Sequence, residues 1–119
     1  MRGKEERVMR KSISTFTPIG PWITTADEVG PTDDIQLQLW VNGKLRQHAF
    51  ARDMIVGIRE AVELCSSVMT LEPGDIIASG TMAGVGPLAS GDTVRIEIDK
   101  VGSMSLPVEG APPLRFTGA

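Results

Sequence analysis

Apolar and polar residues alternate along residues 35–41, which is the pattern of a β-strand with one buried face. Asn42 and Gly43 follow directly, and this dipeptide is the strongest short signal for a type I′ hairpin turn. A return strand is expected over residues 44–50. His48, the single histidine, falls on that strand and has no second metal ligand or nucleophile beside it, so we interpret it as an ordinary strand residue.

The same alternation recurs near the end of the chain. Residues 93–99 predict a strand with every second residue apolar, and residues 104–108 predict another, whose Pro107 favours a sheet edge. Two shorter apolar runs, residues 22–25 and 76–78, also read as strands. These segments predict an α+β, mostly β fold of five or six short strands.

Residues 53–69 contain apolar side chains at steps of three and four, which predicts the one main helix. Asp53 is a plausible N-cap, and Gly57 inside the helix would cost about 1 kcal/mol relative to alanine. Burial of each large apolar side chain would return about 1.5–3 kcal/mol. We therefore expect the helix to lie against a sheet, with Cys65 and the methionines in the core.

A glycine-rich loop, residues 79–86, follows the turn at residues 73–75 and the short apolar run. The loop contains three glycines, which allow the backbone to approach another group closely, and Thr81 follows Gly80. One interpretation is a structural connection between strands. The other is the lip of a small-molecule site, in which backbone N–H groups and the Thr81 hydroxyl hold an anion.

Composition narrows the classes of partner. The 119 residues suit one small domain, and 12 basic against 15 acidic residues give a net charge of −3 without a basic block that would favour nucleic acid. The single cysteine suits a reducing cytosol, so a cytoplasmic location is expected. No apolar run approaches a membrane span. Residues 1–10 predict a charged lead-in and residues 110–119 a loose tail.

Several sequence motifs together resemble one enzyme family. The chain is similar to the C-terminal part of the fumarylacetoacetate hydrolase family over about residues 10–108. The resemblance rests on these segments, which occur in one order: KSISTFTPIGPW at 11–22, WVNGKLRQ at 40–47, DMI at 53–55, TLEPGDIIASGTMAGVGPL at 70–88, and GD before the alternating strand at 91–98.

The resemblance implies a mixed β-sandwich or β-roll, usually in a homodimer. It also implies a divalent metal, Mg²⁺ or Mn²⁺, and a 2-oxo or enol acid substrate that undergoes C–C hydrolysis, isomerisation or decarboxylation through a metal-stabilised enolate. Lys11 matches the family lysine beside metal and substrate, and Thr15 matches a threonine near that site. Thr81 matches the loop threonine that contacts the substrate carboxylate, with Gly80 beside it.

Other family features have no counterpart in the chain. The carboxylate metal ligands of the family, Glu-x-Glu and an Asp, and its catalytic His lie upstream of the matched part, and Ser14 and Met82 replace common Asp and Pro residues. We therefore expect a truncated or split family member with no metal ligands of its own, inactive alone. Two hypotheses remain open: the C-terminal part of an enzyme that needs a complementing N-terminal half, and a non-catalytic binding or oligomerisation module.

Overall fold

Four antiparallel strands form the sheet in the computed structural model, which describes residues 11–110. Their order across the sheet is β2-β1-β3-β4. The strands are β1 (Gln36–Val41), β2 (Lys44–Phe50), β3 (Thr93–Ile98) and β4 (Gly102–Pro107). The predicted strands at 35–41, 44–50 and 93–99 are confirmed, and β4 lies at a sheet edge, as Pro107 predicted.

The hairpin between β1 and β2 has the predicted turn. Asn42 and Gly43 have φ of 51° and 75°, and a type I′ turn needs positive φ at both positions. The alternation along β1 gives one apolar face, on which Val41 pairs with Val94 of β3. These two valines, with Ile35, are the buried hydrophobic residues among those described, so the core lies where β1 meets β3.

A β-bulge interrupts the pairing of β1 with β2. Leu39 pairs with Gln47, whereas the next residue, Trp40, pairs with Leu45, so that Arg46 is the extra residue. A bulge of this kind changes which side chains share a face. Here it places Gln47 on the apolar face of the sheet, beside Leu39.

The two shortest predicted strands do not form. Residues 22–25 and 76–78 are irregular, because neither run has a strand beside it to complete a hydrogen-bonded ladder. The indole of Trp22 instead donates a hydrogen bond to the carbonyl of Val101 at 2.6 Å. Ile76 is 69% exposed. Apolar composition alone therefore overestimated the number of strands.

The main helix, α2 (Ile58–Val68), is shorter than the predicted residues 53–69. Gly57 is its N-cap, and the Glu60 carboxylate accepts a hydrogen bond from the Gly57 N–H at 3.0 Å. Asp53 is not the helix cap, because its carboxylate accepts from the Phe50 N–H at 3.3 Å around a single 3₁₀ turn, Ala51–Asp53. Because Gly57 precedes the helix and does not lie inside it, the destabilisation expected for a glycine in a helix interior does not arise.

The apolar stripe of α2 is not buried against the sheet. Leu64 and Val68 are 62% and 72% exposed, Met69 is exposed, and Cys65 is only half-buried. The expectation that these residues belong to the core is therefore wrong for the part of the chain that the structure describes.

The α+β, mostly β fold class is confirmed, with one main helix and one antiparallel sheet in residues 11–110. The loop before β1 also contains a short helix, α1 (Ala26–Val29), which the sequence did not predict. Neither helix of this region is long and apolar enough to cross a bilayer. The predicted lead-in, residues 1–10, and the tail beyond Gly110 lie outside the described residues.

Candidate functional site

The glycine-rich loop, residues 79–86, is attached to the sheet by one side chain of β2. The amide nitrogen of Gln47 donates to the hydroxyl oxygen of Thr81 at 3.2 Å and to the carbonyls of Met82 and Ala83 at 3.0 and 3.3 Å. Gln47 is 8% exposed, the one buried polar residue of the described chain, whereas Thr81 is exposed. The loop therefore presents the Thr81 hydroxyl to solvent above a buried anchor.

A glycine brings the loop close to the backbone of β2. Gly84 has φ +101°, and a Cβ built on it would lie 2.1 Å from the carbonyl oxygen of Arg46. Arg46 is the extra residue of the bulge, so the bulge sets both the carbonyl that Gly84 faces and the direction of Gln47. The guanidinium of Arg46 also lies beside the loop, since a Cβ on Gly86 would be 3.4 Å from its Nη1.

Aspartate turns bound the loop on both sides. The Asp75 carboxylate accepts from the Glu72 N–H at 2.8 Å, and the Asp92 carboxylate accepts from the Ala89 N–H at 2.7 Å. Asp92 also accepts from the Asn42 side-chain amide at 2.8 Å. The Ala89 N–H, and then Asn42, lower the pKa of the Asp92 carboxyl below its usual 3.8. The predicted turn at residues 73–75 is therefore present, and the turn at Asp92 is tied to the β1–β2 hairpin.

Lys11 and Thr15 lie in a different segment. The carbonyl of Lys11 accepts from the Thr17 hydroxyl at 2.6 Å, and the Phe16 N–H donates to the Ile13 carbonyl at 3.0 Å. Thr15 has φ 72°, a left-handed conformation that is rare for a β-branched residue. Backbone strain of this kind is concentrated at functional positions in proteins.

The structure brings the four predicted site residues into two groups. Gly80 and Thr81 share the loop, and Lys11 and Thr15 share the first described turn. All four are exposed. Among residues 11–110, no hydrogen bond joins a member of one group to a member of the other.

The described carboxylates do not fit a divalent metal site. No three Asp, Glu, His or Cys side chains in residues 11–110 converge on a point where an ion could sit. A divalent cation such as Mg²⁺ needs several oxygen ligands, commonly with one or two carboxylates among them. Most of the acidic side chains instead accept hydrogen bonds from backbone N–H groups or pair with arginines: Asp34, Asp53, Glu60, Glu63, Asp75, Asp92, Glu97 and Asp99.

An open cleft elsewhere on the described chain is the other candidate position. An open cleft of about 850 Å³ runs between the segment around Trp22 and the β3–β4 turn. Its two cationic residues already have partners, because Arg95 pairs with Glu97 at 2.5 Å and Lys100 donates to the Val29 carbonyl at 3.0 Å. We therefore place the candidate site at the loop, where a hydroxyl and a nearby guanidinium face solvent.

Sequence reasoning missed Gln47. No local signal marked it, because regular pairing from the Asn42-Gly43 turn would put Arg46 opposite Leu39 and leave Gln47 on the other face. The bulge that turns Gln47 inward has no local sequence signature in this hairpin. His48, as interpreted, is a strand residue of β2, where it contacts Gln36 and the ring of Phe50.

Comparison with known proteins places the chain in a family. Residues 1–109 match the fumarylacetoacetate (FAA) hydrolase C-terminal family. A maleylpyruvate hydrolase of Aquipseudomonas alcaligenes is 46% identical over 91% of this chain and 38% of its own length. An oxaloacetate tautomerase of Bacillus subtilis is 42% identical over 80% of this chain and 34% of its own length.

A solved structure shows the same fold. The maleylpyruvate hydrolase of Sphingobium sp. SYK-6, crystallised with manganese(II) and pyruvate, superposes with a TM-score of 0.84 at 52% identity. The alignment covers 87% of this chain and 39% of that protein. The chain thus spans about two fifths of the length of these hydrolases. It belongs to the fumarylacetoacetate hydrolase family, as a match to the C-terminal domain.

Proposed function

We propose that this chain is the C-terminal part of an enzyme acting on 2-oxo or enol acids by C–C bond hydrolysis, isomerisation or decarboxylation through an enolate. The observation that carries the proposal is the loop 79–86, in which an exposed Thr81 hydroxyl is held by the buried Gln47 amide. The relatives support the substrate class, since one is named for maleylpyruvate, one for oxaloacetate, and one contains pyruvate.

Thr81 and Gly80 would bind the substrate carboxylate. The Thr81 oxygen accepts a hydrogen bond from Gln47, which leaves its own O–H to donate to an anion. Gly80 has φ +106°, and a Cβ on it would have no other atom within 4 Å, so a ligand has room beside its backbone. The Arg46 guanidinium beside Gly86 adds positive charge on the same side of the loop.

Lys11 would stabilise negative charge on the substrate. An ammonium opposite an enolate or a carboxylate lowers the energy of the charge that develops during reaction. Thr15 would lie near the metal, and its strained backbone supports a constrained role. Bringing Lys11 to the loop requires that the substrate, or another part of the assembly, bridge the two groups.

A divalent ion, Mg²⁺ or Mn²⁺, would bind carboxylates outside residues 11–110. The described residues do not fit that ion by themselves, so no chemical step of this chain is assigned to it. The partner in the working enzyme would be an N-terminal half or a second copy in a homo-oligomer. A cytoplasmic location stays a prediction from the cysteine content.

A non-catalytic module is the second candidate. The exposed apolar stripe of α2, which includes Leu64 and Val68, favours a role in association. The two candidates differ in one property: only the enzyme fragment requires the loop to bind a 2-oxo acid.

Titration with pyruvate tests the proposed function directly. We expect the backbone amides of residues 79–86 to shift in NMR spectra of the ¹⁵N-labelled chain. Thr81→Val should weaken binding about tenfold, because a hydrogen bond to a charged group is lost. Thr70→Val, an exposed threonine outside the loop, is the matched control. Equal affinity in the wild type and Thr81→Val would remove Thr81 from the site.

Activity tests Lys11. The chain should be combined with the part of the Aquipseudomonas maleylpyruvate hydrolase that it does not match. Turnover of a 2-oxo acid by this combination should disappear in Lys11→Met and persist in Lys44→Met, a control on β2. Full activity of Lys11→Met would make Lys11 a surface residue.

A further inference from the structure

We propose that Gln47 is a positioning residue that orients the Thr81 hydroxyl toward a bound carboxylate; the inference rests on the proposed function and extends it to a residue that touches no substrate. Gln47 belongs to β2, 34 residues before Thr81 in the chain. Its amide is the single described side chain that joins the sheet to the loop's hydroxyl.

The hydrogen bond from Gln47 to Thr81 determines where the Thr81 hydroxyl proton can point. An amide NH₂ group donates and cannot accept, so the Thr81 oxygen must use a lone pair toward Gln47. The Thr81 O–H is therefore directed elsewhere, and its neighbour in the structure is the sulfur of Met82 at 4.0 Å, a weak acceptor. An incoming carboxylate would be a much stronger acceptor for that proton.

The burial of Gln47 makes the arrangement persistent. The same amide nitrogen also donates to the Met82 and Ala83 carbonyls, so that its two N–H bonds are shared among three acceptors, and this fixes the backbone directly after Thr81. Because Gln47 is 8% exposed, water has little access to replace it. The bulge at Arg46 is what directs the side chain to this face. Gln47 thus holds both the rotamer of the hydroxyl and the loop that carries it.

The first experiment measures the orientation of Thr81 without ligand. Three-bond couplings to the Thr81 methyl carbon report its χ1 rotamer in the labelled chain. We expect one rotamer in the wild type and averaged couplings in Gln47→Met, which keeps the length of the side chain but has no donor. Gln38→Met, on the opposite face of β1, should leave the couplings unchanged. An unchanged Thr81 rotamer in Gln47→Met would overturn the inference.

The second experiment is a double-mutant cycle with pyruvate as the probe. Gln47→Met alone should weaken pyruvate binding about tenfold, as Thr81→Val does, because both remove one oriented hydrogen bond to a charge. In the Thr81→Val background, Gln47→Met should change the affinity less than about twofold, since its effect passes through the missing hydroxyl. A residue that only tethered the loop would weaken binding additively in both backgrounds.

The outcomes separate the inference from the proposed function. Additive effects, or an unaffected pyruvate affinity in Gln47→Met, overturn the positioning role even when Thr81 binds pyruvate. A Thr81→Val variant that binds pyruvate like the wild type removes Thr81 from the site and overturns the positioning role with it, whatever the couplings show. A wild-type chain whose 79–86 amides do not shift with pyruvate overturns the proposed function. Retained strand amide dispersion in each variant verifies that the sheet is folded. If Gln47→Met loses that dispersion, Gln47→Asn replaces it, because its amide is one methylene shorter and withdraws from the Thr81 oxygen, and averaged couplings with weaker pyruvate binding are again expected.

Discussion

Gly84 faces the backbone carbonyl of Arg46 so closely that a Cβ on the glycine would lie 2.1 Å from the carbonyl oxygen. No backbone can accept a carbon at that distance without moving. The contact joins the glycine-rich loop to the bulged edge strand at a point that carries no side chain. Together with the Gln47 amide, it explains why an exposed loop has a defined position on the sheet.

Gly84→Ala should therefore destabilise the protein more than alanine at a comparable glycine. Gly74→Ala is the matched control, since Gly74 has φ +102°, close to the +101° of Gly84, but nothing within 4 Å of a Cβ. Both variants should lose about 1–2 kcal/mol to the left-handed conformation. Gly84→Ala should lose a further 1–3 kcal/mol, roughly, to the displaced backbone. Urea unfolding measures both, and equal losses would contradict the contact.

Asp92 should make stability depend on pH in the acidic range. Its pKa in the folded chain is lowered below 3.8 by the Ala89 N–H and then the Asn42 amide. The unfolded chain therefore binds a proton more readily than the folded chain does. The stability that the Asp92 carboxylate contributes is fully present above the unfolded pKa of 3.8, and it is lost as the pH falls through the lower pKa of the folded chain. The stability advantage of the wild type over Asp92→Asn should shrink between pH 5 and pH 3, roughly across the range in which carboxyl groups titrate.

Urea unfolding of both proteins at a series of pH values measures that difference. Asp33→Asn, in the loop before β1, is the control. A constant difference between the wild type and Asp92→Asn across the range would show that the Asp92 carboxylate contributes nothing specific to the folded state.

The chain by itself should bind divalent cations weakly. The carboxylates of residues 11–110 do not converge, and most already accept hydrogen bonds or pair with arginines. Titration calorimetry with MnCl₂ or MgCl₂ should give a dissociation constant of about 1 mM or weaker, as for poorly built oxygen sites. A stoichiometric micromolar site would mean that residues outside the described range complete a ligand set.

The chain should associate at micromolar concentration. The helix α2 leaves Leu64 and Val68 more than half exposed, and the sheet edges at β2 and β4 can pair with another chain. A net charge of −3 is too small to prevent this. Sedimentation should show a dimer or a larger species, and Val68→Lys should reduce its mass, whereas Ser67→Lys should not. A monomer with one cooperative melt would show that the chain closes its own core.

Local sequence patterns were sufficient for much of the sheet. The alternation in residues 35–41 and 93–99 and the Asn42-Gly43 dipeptide predicted β1, β3 and the hairpin with nearly the observed limits. These features depend on side chains two residues apart and on backbone dihedrals at two positions. Such short-range physics is contained in the sequence itself.

Features that depend on distant neighbours were not predictable in this way. The run 76–78 is as apolar as a strand but has no strand beside it. An apolar stripe also does not reveal whether a partner surface is present to cover it. The hydrophobic pattern predicted which residues favour burial, and the packing of the chain decided which are buried.

The candidate site divides in the same way. By itself, the sequence determined that Thr81 lies in a flexible-backbone loop with glycines on both sides, and family motifs indicated the residues that could contact a substrate. Only the tertiary structure decided that Gln47 holds that hydroxyl, because the contact depends on a bulge at Arg46 and on a loop 34 residues away. Hydrogen bonds between distant segments need a folded sheet to bring donor and acceptor within 3.2 Å of each other.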